Sequence, residues 1–235
     1  MDYKIACVHF DKEWFWSVLR KGFVKSVEKN TCAELDFRLI PPPEQTKINW
    51  KLSSNNEKLK IWRDIVHETD KPVVLMDSDI IVLDDVGDGF HADVTLTNRP
   101  GKWVNAGVVF CKPTQTARDF MDAWVEKDQE LASGNVAAGR PTNLIRAQRK
   151  TKVLGMNQTA LRVIYDEWKQ HIAWVSGEIY NSCQPSLWNK TENARVIHVK
   201  DSLQQDLLRL YQGKKTQVYH TLAKELLVYY IKPKP

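Results

Sequence analysis

Two carboxylates flanking a serine, Asp77-Ser78-Asp79, interrupt the run VVLMDSDIIVLDDV, which is otherwise almost wholly apolar as far as Leu83. Ionised carboxylates are costly to desolvate without partners, so a β-type run that carries two of them calls for a cation or a proton-transfer site. Hard oxygen ligands suit Mg²⁺ or Mn²⁺, which take one or two protein carboxylates and fill the remaining positions with water and substrate phosphates. Alone, the same D-x-D also fits two solvated carboxylates at a strand end.

Four further features follow in order: Asn105-Ala106-Gly107 before an apolar strand, Asn157-Gln158 opening a helix, Tyr180-Asn181, and His198-Val199-Lys200 ending a late strand. Singly, His198 reads equally as a core histidine, and Asn105 and Gly107 as a plain turn. In this order and spacing the set resembles the nucleotide-diphosphate-sugar transferases of the GT-A fold, most nearly glycosyltransferase family 8, with glycogenin and the bacterial lipopolysaccharide galactosyltransferases as relatives. The resemblance runs from Lys4 to about Lys200.

It implies a metal-dependent glycosyltransferase that moves a sugar from a nucleotide-diphosphate donor, with UDP as the expected nucleotide, and retains the anomeric configuration. Asp77, Asp79 and His198 would ligate Mn²⁺ (or Mg²⁺). Asp77 would also reach the ribose, beside Ser78, and Lys200 would touch the diphosphate. Gly107 and Asn105 would line the sugar pocket, and Lys58 would face the donor, although its place in NEKLKIW also fits a solvated helix face. Ala6, Val8 and His9 in the first strand would carry the base. Gln158 matches the second member of the family's Asp-Gln pair near the reacting face of the sugar; the first member here is Asn157, an acid lost. The chemistry stands without the family, because a cation bridging two phosphates makes a better leaving group and a lysine adds positive charge where negative charge develops.

Rival readings meet specific obstacles. A haloacid-dehalogenase-type phosphatase uses a D-x-D after an apolar strand, but here the motif lies far from the N-terminus and Ile80 and Ile81 replace the expected threonine. Nucleotidyltransferases carry a Gly-rich phosphate loop after the first strand, and CVHFDKEW holds no glycine. The remaining alternative is a degenerate GT-A domain that binds a nucleotide or a partner without transferring sugar.

The elements that must position these residues alternate. Residues 3–10 predict a strand, 11–30 a helix, 32–40 a strand stopped by Pro41, Pro42 and Pro43, and a helix starts near Ser53. The quoted run follows Pro72 as a strand, then ADVTLT and 103–113 as two more, 116–131 and 157–168 as helices, and 194–201 as a late strand. Such alternation predicts an α/β fold with a mostly parallel central sheet flanked by helices, in which ligands bind outside the carboxyl ends of the strands. The division expected is one GT-A domain over 1–200 and a helical C-terminal extension over 201–235.

A chain of 235 residues with 43% hydrophobic and 27% charged residues has the composition of a soluble globular protein. The N-terminal MDYKIACVHF lacks a signal-peptide pattern, and Cys7, Cys32, Cys111 and Cys183 form no CxxC, so reduced thiols and a cytoplasmic address are expected. The net charge of +5 is concentrated in 140–152 (RPTNLIRAQRKTK) and the KPKP tail. The stretch 140–152 suits a lid over phosphates, a surface for an anionic acceptor or an ordinary solvated loop, and the Leu- and Tyr-rich tail suits peripheral membrane contact or packing on its own domain. No nucleic-acid motif is present, and the expected partners are a nucleotide-sugar donor and an acceptor that is a glycan, a lipid-linked sugar or a protein.

Overall fold

Val73–Met76 are four consecutive apolar residues, and a strand of that kind is stable only when covered on both faces. In the computed structural model it is the central strand β3, with all four residues buried. The structure describes residues 1–10, 14–41, 50–99, 102–132, 156–183, 191–216 and 220–231. The basic stretch 140–152 and the KPKP tail lie outside the described residues.

Around β3 the chain builds β1 (Lys4–Phe10), α1 (Trp14–Asn30), β2 (Glu34–Ile40), α2 (Trp50–Glu68), β4 (Ile80–Val82), β5 (Val94–Arg99) and β6 (Lys102–Cys111). Then come α3 (Gln115–Ala132), α4 (Met156–Trp168), β7 (Ile172–Val175), a short α5 (Gly177–Tyr180), β8 (Val196–His198), α6 (Asp201–Tyr211) and α7 (His220–Leu226). The main sheet has the order β2-β1-β3-β6-β5-β7. Parallel pairing joins β1 to β2 and β3, and β5 to β7, while β6 is antiparallel to both β3 and β5. Only β6 therefore runs against the other five, and the mostly parallel α/β architecture is as expected.

Side-chain alternation divides the core. Ala6, Val8 and Leu75 face a cluster with Trp62, Phe120 and Trp124 from α2 and α3, while Ile5, Cys7 and Met76 face Phe23 of α1 and the small β4–β8 sheet. Helix α3 starts where the Thr114 hydroxyl accepts from the Ala117 amide at 3.2 Å and donates to Asp93 at 2.9 Å, an N-cap anchored to the preceding loop. A third cluster joins Leu203, Leu207, Leu226 and Leu227 to Leu19, Ile81 and Ile197, so much of the apolar stripe after residue 201 packs on its own chain.

The structure corrects several sequence-based boundaries. The run 73–86 is not one strand: β3 ends at Met76, the chain turns through Asp77–Asp79, and β4 pairs antiparallel with β8 in a separate two-stranded sheet. Asn105-Ala106-Gly107 lie inside β6 rather than before it. Strand β7 has four residues, IAWV, too few to show a period, and α2 begins at Trp50 rather than near Ser53. Cys7, Cys111 and Cys183 are buried and Cys32 is exposed, all four as free thiols.

One buried acid has no counterpart in the sequence reading. Asp128, on α3, is 1% exposed, and burial pushes its carboxyl up to about 7 despite opposing charge from Lys58 and Lys60. Because the folded value lies above the ordinary one near ~3.9, the penalty is absent below that pH, grows as pH rises and is complete above about 7. Asp128→Asn is expected to stabilise the fold at pH 8.5 by on the order of 2 kcal/mol and to do little at pH 4. Urea unfolding of both proteins at the two pH values measures this; equal stability differences at both would refute it.

Candidate metal and donor site

Three chain segments meet where β3 ends. The Asp77 amide donates to the Gly107 carbonyl at 2.9 Å, tying the D-x-D turn to β6. The Val199 amide donates to the Asp79 carbonyl at 2.7 Å, and Ile80 pairs with His198, tying the other end of the turn to β8. The result brings one ligand atom each from Asp77, Asp79 and His198 within 4.8 Å of one another, the one such metal-capable group among the described residues. His198 Nε2 lies 2.8 Å from Asp79 Oδ1 and 3.5 Å from Asp77 Oδ2.

The protonation of His198 follows from its other nitrogen. Thr97 donates its only hydroxyl proton to the Asn105 carbonyl at 2.8 Å, so the contact from Asn181 Nδ2 at 2.9 Å arrives on a Thr97 lone pair. That sets the Asn181 amide with its oxygen toward His198 Nδ1, at 2.9 Å, which must then be the N–H. Burial pushes the His198 imidazole down, toward its neutral form. Nε2 is the ring atom that faces both carboxylates, and against the opposing effect of burial His198 and Lys200 hold the Asp79 carboxyl below its usual range.

That arrangement tests the donor set. Two carboxylate oxygens and an imidazole nitrogen in mutual contact call for a positive centre between them, a proton or a metal ion. Two oxygens and one imidazole nitrogen suit a hard or borderline divalent ion, and separations of 2.8 and 3.5 Å bracket the ~3 Å edge of an octahedron with ~2.1 Å bonds. The residues present fit Mn²⁺ or Mg²⁺.

Two lysines border the cluster. Lys200 Nζ is 3.8 Å from Asp77 Oδ2, and Asp201 immediately after it takes a left-handed φ of 50°, a backbone conformation uncommon outside glycine. Lys58 is 7% exposed, so it is not on a solvated helix face. Its ammonium contacts Asp77 Oδ1 and lies 4.4 Å from the centre of the Trp62 ring. Lys58 thus competes with any cation for Asp77. Lys58→Met is expected to raise Mn²⁺ affinity about tenfold, equivalent to ~1.4 kcal/mol of relieved repulsion. A Mn²⁺ titration followed by electron paramagnetic resonance decides this, and weaker binding than wild type would contradict it.

The other sequence-predicted residues fall into distinct places. Gly107 abuts the cluster: a Cβ there would lie 2.5 Å from His198 Cε1 and 3.1 Å from Asp77 Oδ2. Asn105 is buried with both side-chain ends engaged, its Oδ1 accepting from the Gly107 amide at 3.1 Å and its Nδ2 lying 3.0 Å from Cys183 Sγ. The β5–β6 register slips at this point, Leu96 pairing with Val109 but Thr97 with Asn105, so residues 106–108 bulge out of the β5 ladder beside Asp77. Ser78 occupies the turn between the two carboxylates.

In β1, Ala6, Val8 and His9 are buried, and the His9 ring stacks on Phe37 at 6.1 Å. The β1–β3 ladder ends at Cys7–Met76, while pairing with β2 continues to Phe10. Asn157 and Gln158 stand in the first turn of α4. Asn157 is buried, its Oδ1 accepting from the Gln158 amide at 2.7 Å and its carbonyl from Trp124 Nε1 at 2.7 Å. Among the described residues, no hydrogen bond or ion pair joins either of them to the Asp77–Asp79–His198 cluster. Sequence reasoning passed over Thr97 and Cys183. The signal for the first is the VTLT alternation, which puts Thr95 and Thr97 on one buried face of β5 and Val94 and Leu96 on the other. A separate groove of about 310 Å³ on α6, lined by Gln205, Leu208, Arg209, Gln212 and Lys214, contains none of the predicted residues.

No protein-family model matches the sequence, and no curated protein matches it significantly. Solved structures do. A glycosyltransferase involved in the glycosylation of the major capsid of PBCV-1 superposes with a TM-score of 0.59 at 13% identity, over 87% of this chain and 97% of that one. The glycosyltransferase GlyE of Streptococcus pneumoniae TIGR4 superposes with a TM-score of 0.54 at 14% identity, over 99% of this chain. The chain spans 61% of the length of GlyE. At these identities the likeness is one of fold. Among the described residues no helix is long and apolar enough to cross a membrane.

Proposed function

We propose that the chain is a metal-dependent glycosyltransferase of GT-A type that transfers a sugar from a nucleotide-diphosphate donor, UDP-linked, to a glycan, lipid-linked sugar or protein acceptor. The observation that carries this reading is the convergence of Asp77, Asp79 and His198 within 4.8 Å, with Lys58 and Lys200 against Asp77, on a fold shared with glycosyltransferases. A bound Mn²⁺ or Mg²⁺ would supply Lewis-acid neutralisation of the diphosphate as it leaves.

In this reading the chain's own residues do the rest. Asp77, Asp79 and His198 hold the ion, and Asp77 and Ser78 face the ribose. Lys200, at the start of α6, moves from Asp77 toward the diphosphate, and Lys58 follows once Asp77 is committed to the ion. Fixed positive charge there stabilises the transition state more than the ground state, because negative charge grows on the leaving phosphate. Ala6, Val8 and His9 of β1 receive the base. Gly107 and Asn105, in the β6 bulge, line the sugar pocket, and Gln158 faces the sugar from α4 while Asn157 shapes the helix start. Retention fits this set, since the departing phosphate can take the acceptor proton and no protein base is needed.

Nucleotide release from a panel of UDP- and GDP-sugars, in Mn²⁺ or EDTA, tests the proposal. Mn²⁺-dependent release from one donor is the expected result. Absence of both release and binding for every donor would sink it. One observation favours a second reading: the Asn157 side-chain oxygen and carbonyl are both engaged at the α4 start, by the Gln158 amide and Trp124 Nε1. Tight donor binding without turnover would identify a degenerate domain that binds nucleotide or a partner.

A further inference from the structure

The Asp77–Asp79–His198 cluster is backed by a chain of buried polar groups that touch no reacting atom. Asn181 is 1% exposed and Thr97 is fully buried. An unpaired polar group at such depth costs ~1–3 kcal/mol, so a relay there persists only if its members are satisfied. They are, and in one direction: Asn105 carbonyl from Thr97 hydroxyl at 2.8 Å, Thr97 from Asn181 Nδ2 at 2.9 Å, Asn181 Oδ1 from His198 Nδ1 at 2.9 Å. The relay begins on a backbone carbonyl, which accepts and never donates, so it cannot reverse while Thr97 keeps that bond. Backbone bonds fix its far end: the Asn181 amide donates to the Gly177 carbonyl at 3.1 Å and the His198 amide to the Ser182 carbonyl at 2.9 Å.

We propose that Asn181 is a positioning residue that, anchored through Thr97, holds His198 in the Nδ1–H tautomer and so keeps Nε2 available to a divalent cation. The inference rests on the metal-site reading above. Without Asn181 the opposite tautomer is preferred, because an Nε2–H can donate to Asp79 Oδ1, already 2.8 Å away. In that state the proton occupies the position of the cation and the site closes itself by one internal hydrogen bond. Partners of this kind, one bond removed from a metal, are worth ~10–100-fold in affinity.

The experiment uses the full chain with ¹⁵N-labelled histidine. His198 is assigned by comparison with His198→Gln, its tautomer is read from ring ¹⁵N shifts in metal-free protein at pH 8.5, and Mn²⁺ affinity is read by electron paramagnetic resonance. Wild type is expected to show Nδ1–H. Asn181→Leu is expected to switch to Nε2–H and to bind Mn²⁺ ~10–100-fold more weakly. Asn181→Asp, which still accepts from Nδ1, is expected to keep the wild-type tautomer and most of the affinity. A folded Asn181→Leu protein with Nδ1–H retained and affinity unchanged overturns the proposal. If that variant does not fold, Thr97→Val decides: weaker Mn²⁺ binding supports the relay, and unchanged binding overturns it. A wild type that shows Nδ1–H yet binds no Mn²⁺ refutes the underlying metal-site reading instead, which separates the two failures.

Discussion

Asp79→Asn is expected to lose Mn²⁺ binding by more than ~100-fold and, with it, Mn²⁺-dependent nucleotide release, while the metal-free protein stays folded. Removal of a group one bond away from a metal costs ~10–100-fold, so removal of a direct ligand costs more. Against the opposing effect of burial, His198 and Lys200 hold the Asp79 carboxyl below its usual range, so the substitution also removes a favourable charge interaction from the metal-free fold. Thermal unfolding in EDTA should therefore show a Tm no higher than that of the wild type, and the rise in Tm that Mn²⁺ gives the wild type by mass action should vanish. A variant whose Tm still climbs with Mn²⁺ as in the wild type would remove Asp79 from the ligand set.

The parts of this site differ in how far they can be read from sequence, and the difference is physical. Asp77 and Asp79 stand out locally because like charges in an apolar run are costly, and Val73–Met76 announce a doubly covered strand by composition alone. His198 and Lys200 could be flagged only as a late strand end. What joins them to the carboxylates is the antiparallel register of β4 with β8, in which Ile80 meets His198 across about half of the chain, and local periodicity holds no information on such pairing. The same limit made 73–86 look like one strand: apolar residues on both sides of the turn disguise a change of sheet. Lys58 shows the converse failure. Its neighbours Glu57, Lys60 and Arg63 give α2 the look of a solvated face, yet Lys58 itself points inward because Asp77 and the Trp62 ring compensate its charge. Asn181 is visible in the sequence only as part of a pattern, because its role depends on which way each proton in a three-residue relay points.

Gly107→Ala should disable the site by steric means alone, without removing a ligand or a charge. A Cβ at this position would stand 2.5 Å from His198 Cε1 and 2.8 Å from Nδ1, closer than real Cβ atoms approach anything, so either the ring or β6 must shift. Both are held. The ring is tethered at Nδ1 by Asn181, and the Gly107 peptide is tethered by the Asp77 amide on its oxygen and by Asn105 Oδ1 on its nitrogen. Relief then comes from breaking the Asn181 bond or tilting Asp77, and each displaces a ligand atom. The expected outcome is a destabilisation of about 1–3 kcal/mol, as for other overpacked interiors, and at least ~100-fold weaker Mn²⁺ binding. Gly213→Ala supplies the control. It sits at φ +74° with nothing within 4 Å of a new Cβ, so it should cost about 1 kcal/mol through backbone strain alone and leave Mn²⁺ affinity untouched. Comparable loss of Mn²⁺ affinity in both variants would trace the effect to general destabilisation. Wild-type affinity in Gly107→Ala would mean that the ring is free to move, and that the relay through Asn181 does not hold it.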